Sequence, residues 1–176
     1  NPLELKELNL LLLGCLLFND SRLEKVEGRW IVRGDPTEGA LKVLSRKAGL
    51  TNEIESSYPR IDEVPFSSER KRMTTLHRSN DGKVVAFMKG APEVVLSRCS
   101  TIMVDGKVAD LTRDDVEEIL RINDEMASKA LRNLAFAYKI FDEAPENVDE
   151  SIEQGFTFLG IVGMIDPPRP EVKDAL

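Results

Sequence analysis

Residues 72–90 read RMTTLHRSNDGKVVAFMKG. Two runs rich in β-branched and apolar residues, 72–77 and 83–89, flank S-N-D-G at 79–82. Asn, Asp and Gly tolerate the backbone angles of a tight turn, so the stretch reads as a β-hairpin and its strands as antiparallel. The second strand ends on Lys89 and Gly90, and A-P-E (91–93) opens a short helix over 92–99. A cation placed between a buried strand and a helix entrance is either an incidental surface charge or the floor of an anion pocket.

Working outward, I-D-E-V-P-F (61–66) forms a strand before this hairpin, and T-I-M-V-D-G-K-V (101–108) a second hairpin around Asp105-Gly106. L-A-F-A-Y-K-I-F (134–141) and F-T-F-L-G-I-V-G-M-I (156–165) are further strands, the last stopped by D-P-P-R-P. Helices are expected over 3–18, apolar on most faces with Pro2 in its first turn, and over 34–49. In the second, Asp35 or Thr37 caps the start, Pro36 sits near the first turn and Gly49 ends it. A third covers 113–130, where Val116, Ile119, Leu120, Asn123, Ala127 and Leu131 recur at helical spacing. E-G-R-W-I-V-R (27–33) reads as a turn and a short strand, and 51–60 as loop. Hairpins with helices between them define an α+β fold on an antiparallel sheet.

The chain has 176 residues, one domain or slightly more, with 41% hydrophobic and 31% charged residues, as in soluble globular proteins. A net charge of −7 argues against binding nucleic acid or anionic membranes, which need a positive field. Arg70-Lys71-Arg72 is the local exception. The two cysteines, Cys15 and Cys99, lie far apart without a C-x-x-C, which reads as reduced thiols in an intracellular protein. The single histidine, His77, rules out a His-rich metal site and takes a structural or surface role. LLLLGCLLF (10–18) is too short to span a bilayer and lacks the basic start and cleavage site of a signal peptide. The chain opens within a helical pattern and without Met, as a piece of something longer would.

Neither G-x-x-x-x-G-K-[ST], G-x-G-x-x-G nor G-x-S-x-G occurs. The carboxylates of 113–125 read as the solvated face of a helix. What remains are cations and an aromatic at strand ends: Lys89, Lys71 five residues after Phe66, and Arg132 just ahead of a strand. One aromatic face with two lysines and an arginine suits a nucleotide, by stacking on the base and charge on the phosphates. The bland alternative is solvated strand ends with Phe66 in the core.

Four stretches bear on that choice: G-D-P-T-E-G-A-L (34–41), V-P-F-S-S-E-R-K-R-M (64–73), M-K-G-A-P-E (88–93) and M-I-D-P-P-R-P-E-V (164–172). In this order and spacing they resemble the cytoplasmic nucleotide-binding domain of P-type cation-transporting ATPases, in the type II group and most like calcium pumps. A-L-R-N-L-A-F-A-Y (130–138) fits the same pattern. The resemblance implies a twisted antiparallel sheet flanked by helices. It implies a nucleotide-binding domain over residues 1–163, inserted into a phosphorylation domain whose start is 164–176. Asp166, Pro167, Pro168 and Arg169 would form the hinge between them.

On the same resemblance, Phe66 stacks on adenine, Glu38 hydrogen-bonds near the adenine amino group, and Lys71 and Lys89 are the pocket lysines. Gly90 lets the backbone come close, Arg132 meets the phosphates and Leu134 lines the site. Some calcium pumps carry an arginine two positions after the phenylalanine; Ser68 stands there in this chain, leaving Arg70 and Arg72 as the neighbouring cations. The implied ligand is ATP, with Mg2+ bound mainly by the phosphorylation domain. The D-K-T-G-T motif carrying the phosphorylated aspartate is absent, so the fragment is expected to bind nucleotide without a catalytic residue of its own. The implied whole is an ATP-driven cation translocase in a membrane, with this domain cytoplasmic, free of direct membrane contact and nucleic acid, and partnered by the phosphorylation and actuator domains of its own polypeptide. Sodium/potassium, proton and magnesium pumps share the plan. The reading from a different class is a non-catalytic interaction domain that docks an acidic partner on Arg70–Arg72.

Overall fold

The computed structural model of the chain describes residues 2–165. The hinge expected at Asp166, Pro167, Pro168 and Arg169 lies outside the described residues. In chain order the elements are α1 (Lys6–Leu17), β1 (Arg22–Val26), β2 (Arg29–Arg33), α2 (Pro36–Lys47), α3 (Asn52–Ser56), β3 (Arg60–Ser67), β4 (Arg72–Arg78), β5 (Val84–Gly90), α4 (Pro92–Leu96), β6 (Cys99–Val104), β7 (Lys107–Asp110), α5 (Arg113–Ser128), β8 (Arg132–Phe141) and β9 (Phe156–Met164). Among the described residues no helix is long and apolar enough to cross a membrane.

Seven strands form one sheet in the order β3-β4-β5-β8-β9-β6-β7, and β1-β2 form a separate hairpin. The 72–90 hairpin is present, with Arg72 opposite Gly90 and Arg78 opposite Val84. The antiparallel expectation holds for every neighbouring pair in the large sheet except β6-β9, which run parallel. Two local expectations differ from the structure. Residues 52–56, expected as loop, form the short helix α3, and the helix expected over 92–99 stops at Leu96, with Cys99 already opening β6. The turn and short strand expected over 27–33 are present, the strand pairing with β1. Glu27 and Gly28 both take positive φ at that turn, as Asp105 and Gly106 do between β6 and β7.

The strands alternate their side chains between two apolar layers. Val85, Phe87, Phe136 and Tyr138 face α1 and α2, with Phe18 and Leu41 buried against them. Val84, Ala86, Met88, Ala135 and Ala137 face the other side, where Val95, Leu96 and Phe156 are buried and Val116, Ile119 and Leu120 of α5 pack partly covered. Helix α1 is buried from Leu11 to Leu17, so its apolar residues need no single stripe. A smaller cluster of Leu12, Leu16 and Leu50 joins it to α2 and α3. Asp35 caps α2 by accepting from the Glu38 amide at 3.0 Å, and Pro36 follows in the first turn. The effect is to aim the first turn of α2 at the ends of β5 and β8.

Candidate functional site

A cleft of about 460 Å3 opens where that first turn meets the strand ends of β3, β4, β5 and β8. It is lined by Asp35, Thr37 and Glu38 of the α2 entrance, Phe66 of β3, Lys71 and Met73 at the start of β4, Lys89, Gly90 and Ala91 at the end of β5, and Arg132, Asn133 and Leu134 at the start of β8. Every pocket residue expected from the sequence converges here except Ser68, which sits on the exposed turn after β3 and is not part of the lining. Asp35, Thr37, Met73, Ala91 and Asn133 complete the wall. Each is a near neighbour of an expected residue, and in the sequence Asp35 and Thr37 carry only a capping signal.

Lys89 forms the floor. Strand alternation puts it on the face of Phe87, under α1, and only a tenth of its side chain is exposed. Its Nζ donates to Glu38 Oε1 at 3.1 Å and stands 5.1 Å from the ring centre of the buried Phe18. A cation over a desolvated aromatic face is held by about 0.5–2 kcal/mol. The second Glu38 oxygen accepts from the Asp20 amide at 3.1 Å. Glu38 therefore fixes the ammonium and is itself fixed by backbone. The charge also reaches Cys15 behind it. Burial pushes that thiol far up, and Lys89 is the largest influence pulling it back down.

The rim differs from the floor. Phe66 is 58% exposed, so it is not a core residue, and its ring lines the cleft. Lys71 is exposed and takes a left-handed backbone conformation, φ 51°. Arg132 Nη1 donates to Thr37 Oγ1 at 3.1 Å, a partner easily exchanged at an exposed position. Gly90 has a use other than approach to a ligand: a Cβ there would stand 2.5 Å from Lys71 O and 2.9 Å from Arg72 Cα. The β4 backbone lies so close that only glycine fits, and this packing draws Lys71 beside Lys89.

Arg70 and Arg72 do not join the cleft. Arg72 is 4% exposed, and both guanidinium groups bind Glu153, so the stretch is not the open basic patch that docking an acidic partner needs. Neither arginine takes the place of the one missing at Ser68. Among the described residues no group of three or more His, Cys, Asp or Glu side chains converges as a metal site. Lys71, Lys89 and Arg132 against Asp35 and Glu38 leave the cleft one positive charge in excess, with an exposed aromatic opposite. The arrangement suits a planar heteroaromatic group carrying an anionic tail.

A family model described as "P-type ATPase, cytoplasmic domain N" matches residues 7–171. The calcium-transporting ATPase of Bacillus subtilis (strain 168) is 41% identical over 174 residues, covering 98% of this chain and 20% of the relative. The cation-transporting ATPase pma1 of Synechocystis sp. is 43% identical over 163 residues, 91% of this chain and 18% of the relative. The sodium/potassium exporting P-type ATPase cta3 of Schizosaccharomyces pombe is 37% identical over 174 residues, 94% of this chain and 16% of the relative. The chain spans about a fifth of the length of the relatives it matches.

Proposed function

The chain belongs to the cytoplasmic N-domain family of P-type ATPases, and from that premise we propose that its cleft binds ATP on behalf of a cation-transporting pump. The observation that carries the reading is convergence: Glu38, Phe66, Lys71, Lys89, Arg132 and Leu134, spread over almost a hundred residues of sequence, line one cleft of a size usual for small-molecule sites. Adenine lies on the Phe66 ring, with Glu38 as the carboxylate near its amino group and Leu134 and Met73 as apolar walls. Lys89 supplies the buried positive charge, and Lys71 and Arg132 supply the exposed charges at the rim. Glu38 competes with the ligand for Lys89, so binding trades one charge-assisted hydrogen bond for another.

The transferred phosphoryl group leaves the cleft outward, toward a catalytic aspartate on another domain of the same polypeptide, with the actuator domain completing the cytoplasmic part. Mg2+ belongs to that outer region and supplies charge neutralisation on the phosphates when bound there. This chain's part is to hold the base, present the phosphates and leave the transferred group accessible. The domain is cytoplasmic, the remainder of the pump lies in a membrane, and the cargo is calcium, as the name of the Bacillus subtilis relative has it.

Titration of the 15N-labelled chain with millimolar ATP tests this. The amides of Glu38, Phe66, Lys71, Lys89 and Arg132 are expected to shift together, while those of β6 and β7 stay in place. Shifts confined to the β1–β2 hairpin, or none at all, would refute the assignment.

A further inference from the structure

Arg70, Lys71 and Arg72 are three consecutive cations at the turn from β3 to β4, yet the cleft receives only the middle one. Strand alternation explains part of this. Met73 points to the cleft, so Arg72 and Thr74 point to the opposite face of the sheet. Waiting there is Glu153, just after a 3-10 turn at Glu150–Ile152, with its side chain fully buried. Its Oε2 accepts from Arg70 Nη1 and from Arg72 Nε, both at 2.7 Å, and its Oε1 accepts from Thr74 Oγ1 at 2.8 Å. Glu150 stands 3.5 Å from each guanidinium at the rim.

The backbone between the two arginines is correspondingly constrained. The Lys71 amide donates to Ser67 O at 2.8 Å, the Arg70 amide to Ser67 Oγ at 3.1 Å, and Lys71 O accepts from the Ala91 amide at 3.0 Å. Arg70 also reaches the Pro65 carbonyl oxygen. Lys71 sits in the middle with φ 51°, a conformation that residues other than glycine avoid unless their surroundings impose it. The flanking arginines are tethered on one side of the sheet, and this turns the lysine to the other.

We propose that Glu153 is a positioning residue for the cleft. By holding Arg70 and Arg72 on the far face, it fixes the 67–72 turn in the conformation that delivers Lys71, alone of the three cations, to the bound anion. The inference rests on the nucleotide reading of the cleft. It adds to that reading a buried carboxylate that no ligand touches, and it explains why a chain with Ser68 gains nothing from the arginines beside it.

Calorimetric ATP titration of the 176-residue chain as wild type, Glu153→Gln, Lys71→Ala and the double variant tests the coupling. Glu153→Gln is expected to weaken ATP about 3- to 10-fold, as is Lys71→Ala, the scale of a partly exposed charge on phosphate. The double variant is expected to be no weaker than Lys71→Ala alone, because a mispositioned lysine and an absent one are equivalent. Adenosine, which lacks phosphates, is expected to lose less than ATP does in Glu153→Gln. Additive losses in the double variant, equal losses for adenosine and ATP, or a silent Glu153→Gln each overturn the proposal. Should Glu153→Gln fail to fold, Thr74→Val and Arg70→Gln, each removing one partner of the carboxylate, are expected to give the same non-additive pattern with Lys71→Ala, and additivity there overturns it equally. A wild-type chain that binds no ATP, or binds it indifferently to Lys89→Ala, sinks the nucleotide reading and this one together. ATP binding that depends on Lys89 but not on Glu153 sinks this one alone.

Discussion

Phe66→Ala separates a stacking surface from a packing residue, because the structure sets two different magnitudes for the two roles. A fully buried phenylalanine contributes about 1.5–3 kcal/mol by removing its ring from water. Phe66 is 58% exposed, so truncation is expected to cost no more than about 1 kcal/mol of stability. In a domain of this size that moves Tm by about 2–4 °C. An adenine stacked on the ring contributes more, about 1–3 kcal/mol per base, so its loss weakens affinity about 5- to 150-fold. The loss is expected to be the same factor for adenosine, ADP and ATP, since the missing contact is with the base. Lys71→Ala, by contrast, is expected to spare adenosine. Calorimetry or NMR titration gives the affinities, and differential scanning calorimetry gives the stability. Less than about a two-fold loss for ATP, a loss that grows with the number of phosphates, or a Tm drop above about 10 °C would show that the ring packs the domain or is a bystander.

Three further outcomes follow from the geometry. Gly90→Ala places a Cβ against the backbone of Lys71 and Arg72, which cannot swing aside, and is expected to lower stability by about 1–3 kcal/mol in urea unfolding and to weaken ATP; an unchanged midpoint contradicts it. His77 is 1% exposed, its Nδ1–H donates to Tyr58 O at 3.1 Å and its Nε2 accepts from Thr75 Oγ1 at 2.9 Å. Burial lowers its pKa from 6.5 to about 4, with Arg60 adding to the effect. The unfolded chain therefore binds a proton that the folded one refuses. Stability is complete above about pH 6.5 and falls as pH drops toward about 4, by on the order of 3 kcal/mol. Urea midpoints from about pH 7.5 to 4.5 measure this, and a slope unchanged in His77→Asn counts against it. Burial raises the thiol pKa of both Cys15 and Cys99, the latter to about 12, so neither is expected to react with a disulfide reagent at about pH 8 until the chain unfolds; rapid labelling of Cys15 in the native protein refutes that reading.

The hairpins of this fold were legible because their signals are local. S-N-D-G and Asp105-Gly106 carry the residues that tolerate their turn angles, and the Glu27-Gly28 turn carries the same signal in weaker form. The pairing of β6 with β9 joins strands some fifty residues apart, and nothing in either strand names the other. Helix α3 is five residues long, too short for periodicity to show. At the site, Lys89, Gly90 and Phe66 could be read as strand-end chemistry. The partners that decide how each behaves, Phe18 under Lys89 and Glu153 behind Arg70, come from elements distant in sequence. The run Arg70–Arg72 shows the limit most clearly: composition sees three equal charges, and only the alternation of β4 and one buried carboxylate distinguish them.

The position of β9 also shapes how the domain assembles. Within the large sheet, β6 and β7 reach the other strands only through β9, which is the last strand among the described residues. A chain growing from its N-terminus can pair β3, β4, β5 and β8 as they appear. Until residues 156–164 arrive, β8 and β6 both keep unpaired backbone edges, and β6-β7 is a hairpin without a sheet. Long-range pairing of this kind is slow and leaves edges open to other chains. Completion of the sheet therefore waits until all its other strands have been made, and shortening the chain before residue 156 would leave two separate β-structures rather than a smaller version of this domain.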